Sequence, residues 1–237
     1  MQYSEISGGS DIPNIVNVLI EIPVGGEPVK YELDKTSGAL VVDRILSTAM
    51  RYPGNYGFVP QTLGDDGDPL DVLIVSDIPL MPGAVISCRP IGVLRMTDEA
   101  GCDEKIIAVP APKVSRMFDA IQSIDDIAEY RLKQIAHFFE HYKGLESGKW
   151  VKLAGWGDRQ EALAVIRSGF AAAQQQVAEG IAAEAANDAT VIELQAMLNK
   201  SFEHAAASAS GSIGQNCKKE KEDWYCQDAG RGHRQAG

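Results

Sequence analysis

The sequence predicts an α+β fold: a β-rich, barrel-like core first, helices after it, and then a C-terminal extension. Two observations carry this. Apolar residues recur at strand spacing as far as EKIIAVP (104–110), and the period then changes to that of a helix in IAEYRLKQIAHFFEHYK (127–143). Strands that come first and helices that come later argue against alternating βαβ units. A third observation concerns the end of the chain, which turns alanine-rich after about residue 175.

The first strand is IVNVLIEI (15–22), with Val16, Val18, Ile20 and Ile22 on one face and Asn17, Leu19 and Glu21 on the other. The turn-rich PVGGEP and the short VKYEL follow, which together read as a hairpin. ALVVDRIL (39–46) is another strand, and YPGNYG (52–57) is punctuated by glycine and proline as a loop or broken strand. GDDGDP is a turn that feeds the strand LDVLIV (70–75), and further strands fit AVISCRPIGVLRM and EKIIAVP. In the first helix Leu132, Ile135, Ala136, Phe139 and Tyr142 share a face, and a second helix starts at about Asp158. These elements give one domain over 1–175. Residues 176–237 form an extension, first Ala-rich and helical, with Val191, Leu194, Met197, Leu198 and Phe202 on one face. The linker-like SASGSIGQN (208–216) and a polar tail with no packing pattern complete it, and that tail is expected to be disordered.

The 237 residues suffice for one good core plus an appendage. A net charge of −11 argues against general nucleic-acid binding, which needs a basic footprint. The start MQYSEISGGSDIPNIV has no signal-peptide pattern, and no apolar run approaches the roughly 20 residues that span a bilayer. Cys88, Cys102, Cys217 and Cys226 are scattered and read as reduced thiols of a cytoplasmic protein.

The densest chemical signal is GDDGDPLDVLIV, which sets Asp65, Asp66, Asp68 and Asp71 in one turn and the start of a strand. Crowded carboxylates repel one another, and cations relieve that repulsion. Oxygen donors at this density suit Mg²⁺ or Mn²⁺. An ordinary acidic turn is the plain alternative, since Asp and Gly are good turn formers. An EF-hand is excluded: counting from Asp66, Pro69 intrudes, and the last ligand position holds Asp77 instead of Glu. A second acidic loop, RMTDEAGCDEK, brings Asp98, Glu99 and Asp103, closed by Lys105. If the two loops converge, they could hold more than one metal. A third group is basic and phenolic: Lys30 with Glu32 on one strand face, then Arg44, Tyr52, Tyr56, Tyr142 and Lys143, with Glu21 joining across the hairpin. Arg and Lys neutralise phosphate oxygens, and Tyr hydroxyls donate to them. Taken singly, each is also an ordinary half-exposed position.

The stretches EIPVGGEPVKYELDKTSGALVVDR, STAMRYPGNYGFVPQTLGDDGDPLDVL, RPIGVLRMTDEAGCDEKIIAVP and QIAHFFEHYKGLESGKWVKLAGW resemble, in order, the type I soluble inorganic pyrophosphatases of the bacterial kind. The resemblance runs from about residue 12 to about 170. It implies a five-stranded OB-like β-barrel with helices packed outside, and several Mg²⁺ ions per site at the barrel mouth, with Mn²⁺ or Zn²⁺ as substitutes. Position by position, Asp66, Asp71 and Asp103 match ligands of the activating metals, and Asp98 a ligand of substrate-associated Mg²⁺. Glu21 and Glu32 match supporting carboxylates, and Asp68 the general base. Lys30, Arg44, Tyr56, Tyr142 and Lys143 match groups that hold phosphate, with Tyr52, Glu99 and Lys105 as neighbours. The implied reaction is hydrolysis of pyrophosphate to two orthophosphates by a homohexamer. The alternative is a catalytically silent metal- or phosphate-binding protein on the same fold.

Three further signals in the sequence carry less. His137, Glu140 and His141 fit the inverted zinc-protease pattern H-x-x-E-H, but short motifs recur by chance, and a packing or interface role suits these histidines better. Cys217, Cys226 and His233 match no zinc-ligand spacing. Cys102 beside Asp103 reads either as an inert loop thiol or as a thiol that senses oxidation next to a metal ligand; reactivity requires a lowered pKa, so the inert reading is favoured.

Overall fold

The structure is a computed structural model of the chain, and it describes residues 5–99 and 101–223. Its central sheet begins with β1 (Val16–Ile22), which pairs antiparallel with both β4 (Asn55–Phe58) and β6 (Val85–Asp98). β4 pairs antiparallel with β5 (Asp71–Ile74), β5 runs parallel to β8 (Lys105–Pro110), and β8 pairs antiparallel with β6. The hydrogen bonding of β1, β4, β5, β8 and β6 therefore returns to where it began, as a closed ring of pairings. The long β6 also carries the short β7 (Gly101–Cys102) and β9 (Val151–Gly157).

The strands alternate between two apolar layers. Val72 and Ile74 join Val16, Val18, Ile20 and Val93 in one cluster, while Leu73 joins Leu94, Ile107, Phe138 and Phe139 in the other. Helix α1 (Glu129–His141) buries Ile135, Phe138 and Phe139. Phe138 lies outside the predicted stripe but follows Ile135 by three residues, which keeps it on the core side. Ala162 and Ile166, in the first turns of α2 (Arg159–Asp223), enter the other layer.

The expected hairpin between the first two strands does not form. β2 (Val29–Leu33) pairs instead with β3 (Leu40–Ile45) as a separate two-stranded sheet. The reason is burial. β1 is buried along nearly its whole length and takes β4 and β6 as partners, whereas β2 is half-buried throughout. A register shift between Ile20 and Ile22 also sends Ile22 into the layer opposite to that of Ile20. YPGNYG does contain a strand. Gly57 permits it, because a Cβ there would lie 1.8 Å from the Leu19 carbonyl oxygen. Asn55, fully buried, secures the neighbouring loops: its Oδ1 accepts from the N–H groups of Val24 and Leu80, and its Nδ2 donates to Ile78.

The chain divides into two compact units, Met1–Val177 and Ala178–Gly237. The backbone is helical through 208–216, where the sequence suggested a linker. No proline occurs after Pro112, and each interior glycine costs a helix only about 1 kcal/mol, so propagation continues. The rest of the tail, 224–237, with Cys226 and His233, lies outside the described residues. Among the described residues, no helix is long and apolar enough to cross a membrane.

Candidate active site

One cavity of about 190 Å³ gathers all the predicted site residues. β1 supplies Glu21, β2 supplies Lys30 and Glu32, β3 supplies Arg44, and β4 supplies Tyr56. Asp66 and Asp68 come from the turn before β5, and Asp71 from its first position. Asp98 ends β6, Asp103 and Lys105 stand at the entry to β8, and Tyr142 and Lys143 follow α1. Strand ends place backbone that is fixed by the ring beside loops that are free to vary, which is a common way to build a site.

Glu21 enters without the predicted hairpin: its Oε1 accepts from the Leu33 N–H at 2.8 Å. Burial pushes its pKa up to about 8, and the Leu33 N–H only partly offsets this. Lys105 is buried and pairs with both Asp71 and Asp103. Burial alone would lower its pKa, but the two carboxylates hold it above the usual lysine range. Asp103 is itself raised, by burial first and also by its neighbours Asp71 and Asp98, against the pull of Lys105. Lys143 Nζ lies 2.7 Å from Asp98 Oδ2, and Lys30 pairs with Glu32. The Tyr56 and Tyr142 hydroxyls are driven up by burial and then by nearby carboxylates, so both stay protonated as donors. Asp68 is largely exposed at the rim, where Lys35 Nζ lies 2.8 Å from its Oδ1.

The wall carries many carboxylates and no sulfur or imidazole, a donor set for hard cations. Among the described residues no three His, Cys, Asp or Glu side chains close on one point. Ammonium groups stand between them instead, and Lys105, shared by Asp71 and Asp103, marks a place where the acids require positive charge. The residues present therefore fit divalent ions.

Sequence reasoning missed several partners. Lys35 on Asp68, Lys149 on Glu99, and Asp43 and Glu146 on Arg44 carried no motif of their own. Lys105 was expected only as a neighbour and is central. Tyr52 is buried behind Tyr56, 5.1 Å between ring centroids. His137, Glu140 and His141 do not line the cavity, and His141 Nδ1 instead sits 2.9 Å from the His137 carbonyl oxygen in its own helix. Cys102 is exposed on β7, and the buried Cys88 thiol has its pKa raised by burial.

A family profile described as inorganic pyrophosphatase matches residues 18–174. The chain belongs to the inorganic pyrophosphatase family. An inorganic pyrophosphatase of Bradyrhizobium diazoefficiens is 58% identical over 170 residues, which cover 72% of this chain and 96% of the relative. That of Brucella melitensis is 61% identical over 162 residues, 68% of this chain and 92% of the relative. Among solved structures, the Thermus thermophilus inorganic pyrophosphatase superposes with a TM-score of 0.70 at 45% identity, covering 73% of this chain and 99% of that one. The Coxiella burnetii inorganic pyrophosphatase gives 0.68 at 49%, covering 70% and 98%. The bacterial type I resemblance read from the motifs is thus borne out. Membership of the inorganic pyrophosphatase family implies a divalent metal cofactor. The profile match contains every cavity residue and stops near the end of the first unit.

Proposed function

We propose that the cavity hydrolyses inorganic pyrophosphate to two orthophosphates with Mg²⁺ as its metal, Mn²⁺ or Zn²⁺ being possible substitutes. The observation that supports this most is the convergence of Lys30, Arg44 and Lys143 with the acidic set in one small cavity. Cations and carboxylates side by side suit a substrate that is a polyanion and arrives with metal. Asp66, Asp71, Asp98 and Asp103 would hold the metal, with Glu21 and Glu32 in support. Bound metal supplies charge neutralisation and lowers the pKa of attacking water.

The chain's own residues do the rest. Asp68, at the rim, takes the proton of a water that attacks in line; Lys35 must release it for that role. Lys30, Arg44 and Lys143 hold phosphate oxygens by charge-assisted hydrogen bonds. The protonated Tyr56 and Tyr142 hydroxyls donate to the same anion without adding charge. As the leaving phosphate gains charge, Arg44 and Lys143 stabilise it, the kind of contact that counts most in the transition state.

In this reading the ring of five strands is the OB-like barrel, with the site at its rim. Catalysis resides in 1–175, while 176–237 is an appendage. A cytoplasmic homohexamer is the expected assembly. Phosphate release from pyrophosphate, ATP and a simple monoester, each with Mg²⁺, tests the proposal. Release from pyrophosphate alone supports it. Mn²⁺ binding with no release would indicate a silent binding protein, and preference for ATP or the monoester would indicate an organic phosphatase.

A further inference from the structure

Two carboxylates stand behind Arg44. Asp43 Oδ2 accepts from Arg44 Nε at 2.6 Å, and Glu146 Oε2 accepts from Arg44 Nη1 at 3.0 Å. Neither acid lines the cavity, whereas Arg44 does. Asp43 is the adjacent residue on β3, but Glu146 reaches Arg44 from the turn after α1, 102 residues away. The Glu146 side chain is only 16% exposed, and its Oε1 is buried with no hydrogen-bond partner among the described residues. A carboxylate oxygen buried without a donor works against stability. Folding alone therefore gives a poor account of this acid.

We propose that Glu146 is a positioning residue that clamps the Arg44 guanidinium for phosphate, an inference that rests on the reading of the cavity as a pyrophosphate site. A guanidinium is planar and carries five N–H donors in a fixed fork. The two acids engage Nε and Nη1, which fixes the plane at two of its nitrogens and leaves the remaining donors for phosphate oxygens. Arginine is suited to bidentate recognition only when its plane is held, and small displacements of such a group are costly in rate.

Positioning and plain electrostatics predict opposite signs. Removing an anion near a site for a polyanion would tighten binding by Coulomb's law. Removing a clamp loosens Arg44 and weakens binding. Steady-state phosphate release from pyrophosphate with Mg²⁺ is to be measured for the wild type, Glu146→Ala and Glu146→Gln, and for each in an Arg44→Lys background. Glu146→Ala should lose about tenfold in kcat/KM, through a lower kcat as well as a higher KM since Arg44 both holds substrate and stabilises the leaving phosphate, with its thermal midpoint kept. Glu146→Gln retains an acceptor for Arg44 and should recover most of that loss. In the Arg44→Lys background, Glu146→Ala should add less than about twofold, because the two residues act as one unit.

Wild-type kcat/KM or tighter substrate binding in Glu146→Ala would overturn the clamp. An equal loss in the Arg44→Lys background, or no recovery in Glu146→Gln, would do the same. Should Glu146→Ala fail to fold, Glu146→Asp, one methylene shorter, provides the same readout. A wild-type protein that released no phosphate would bring down the functional reading itself, whereas wild-type turnover with an unaffected Glu146→Ala would remove only the clamp.

Discussion

Replacing Lys105 by Met tests how the acidic cavity is held together. Lys105 is 3% exposed and pairs with Asp71, 27% exposed, and Asp103, 14% exposed. The methionine matches the lysine side chain as far as Cε and removes the charged Nζ. Removing one partner from a buried ion pair costs about 3–5 kcal/mol, because a charge is left unpaired. Asp71 retains some access to water, so the low end applies, about 3 kcal/mol. For a domain of this size each kcal/mol moves the thermal midpoint by about 2–4 °C, which gives a fall of about 6–12 °C. The assay is thermal unfolding followed by circular dichroism in EDTA, then repeated with saturating Mg²⁺. Without the ammonium, Asp71 and Asp103 are free to take the ion, so Mg²⁺ should raise the variant's midpoint more than that of the wild type. A variant within about 2 °C of wild type in EDTA would refute the reasoning, since it would mean that the two acids need no counter-charge.

Asp68→Asn should fold normally, since the side chain is 74% exposed, and should turn over pyrophosphate about 10²–10³-fold more slowly; wild-type turnover would remove Asp68 from its assigned role. Chelation with EDTA should abolish phosphate release while leaving the far-ultraviolet circular dichroism unchanged, and added Mg²⁺ should restore activity. Gly57→Ala places a methyl 1.8 Å from the Leu19 carbonyl oxygen, so a loss at or above about 3 kcal/mol should appear as poor soluble yield and an early urea midpoint. A chain ended after Val177 retains every cavity residue and should hydrolyse pyrophosphate at the full-length rate, as read by phosphate release per active site.

Most of the site was legible because its chemistry is local in sequence. Asp66, Asp68 and Asp71 share one turn, and Asp98 and Asp103 share one loop, so each cluster announces itself before folding. Convergence was not legible from spacing. The family resemblance supplied it, and the structure explains it: the turn before β5 and the loop before β8 meet because β5 and β8 run parallel, a pairing that leaves no periodic trace. The partners of charged groups were hidden for the same reason, as with Glu146 and Arg44. Strand existence was read well, from alternation in VNVLIEI and from the β-rich run LDVLIV that follows a turn. Pairing was read poorly, since the turn PVGGEP suggested a hairpin where the burial of β1 demanded other neighbours. β9 was missed although Val151 to Ala154 alternate, because Gly155, at φ +95°, interrupts the run as its register with β6 shifts.

The closed ring also has a consequence for how these chains behave when crowded. A strand edge with unpaired N–H and C=O groups invites a second chain to add to it, and aggregation begins there. The ring satisfies its own strands through mutual pairing, so that hazard shifts to the strands outside it: β7 and β9, each paired on one side, and the separate β2–β3 ribbon, where Val42 and Ile45 are 59% and 73% exposed. The same ribbon bears Lys30 and Arg44, which stand directly opposite each other in its register. Like charges across a strand pair weaken the ribbon but also discourage a neighbour from docking along it. Substrate-binding cations would thus double as gatekeepers, and neutralising both at once should increase turbidity in concentrated solution as well as reduce turnover.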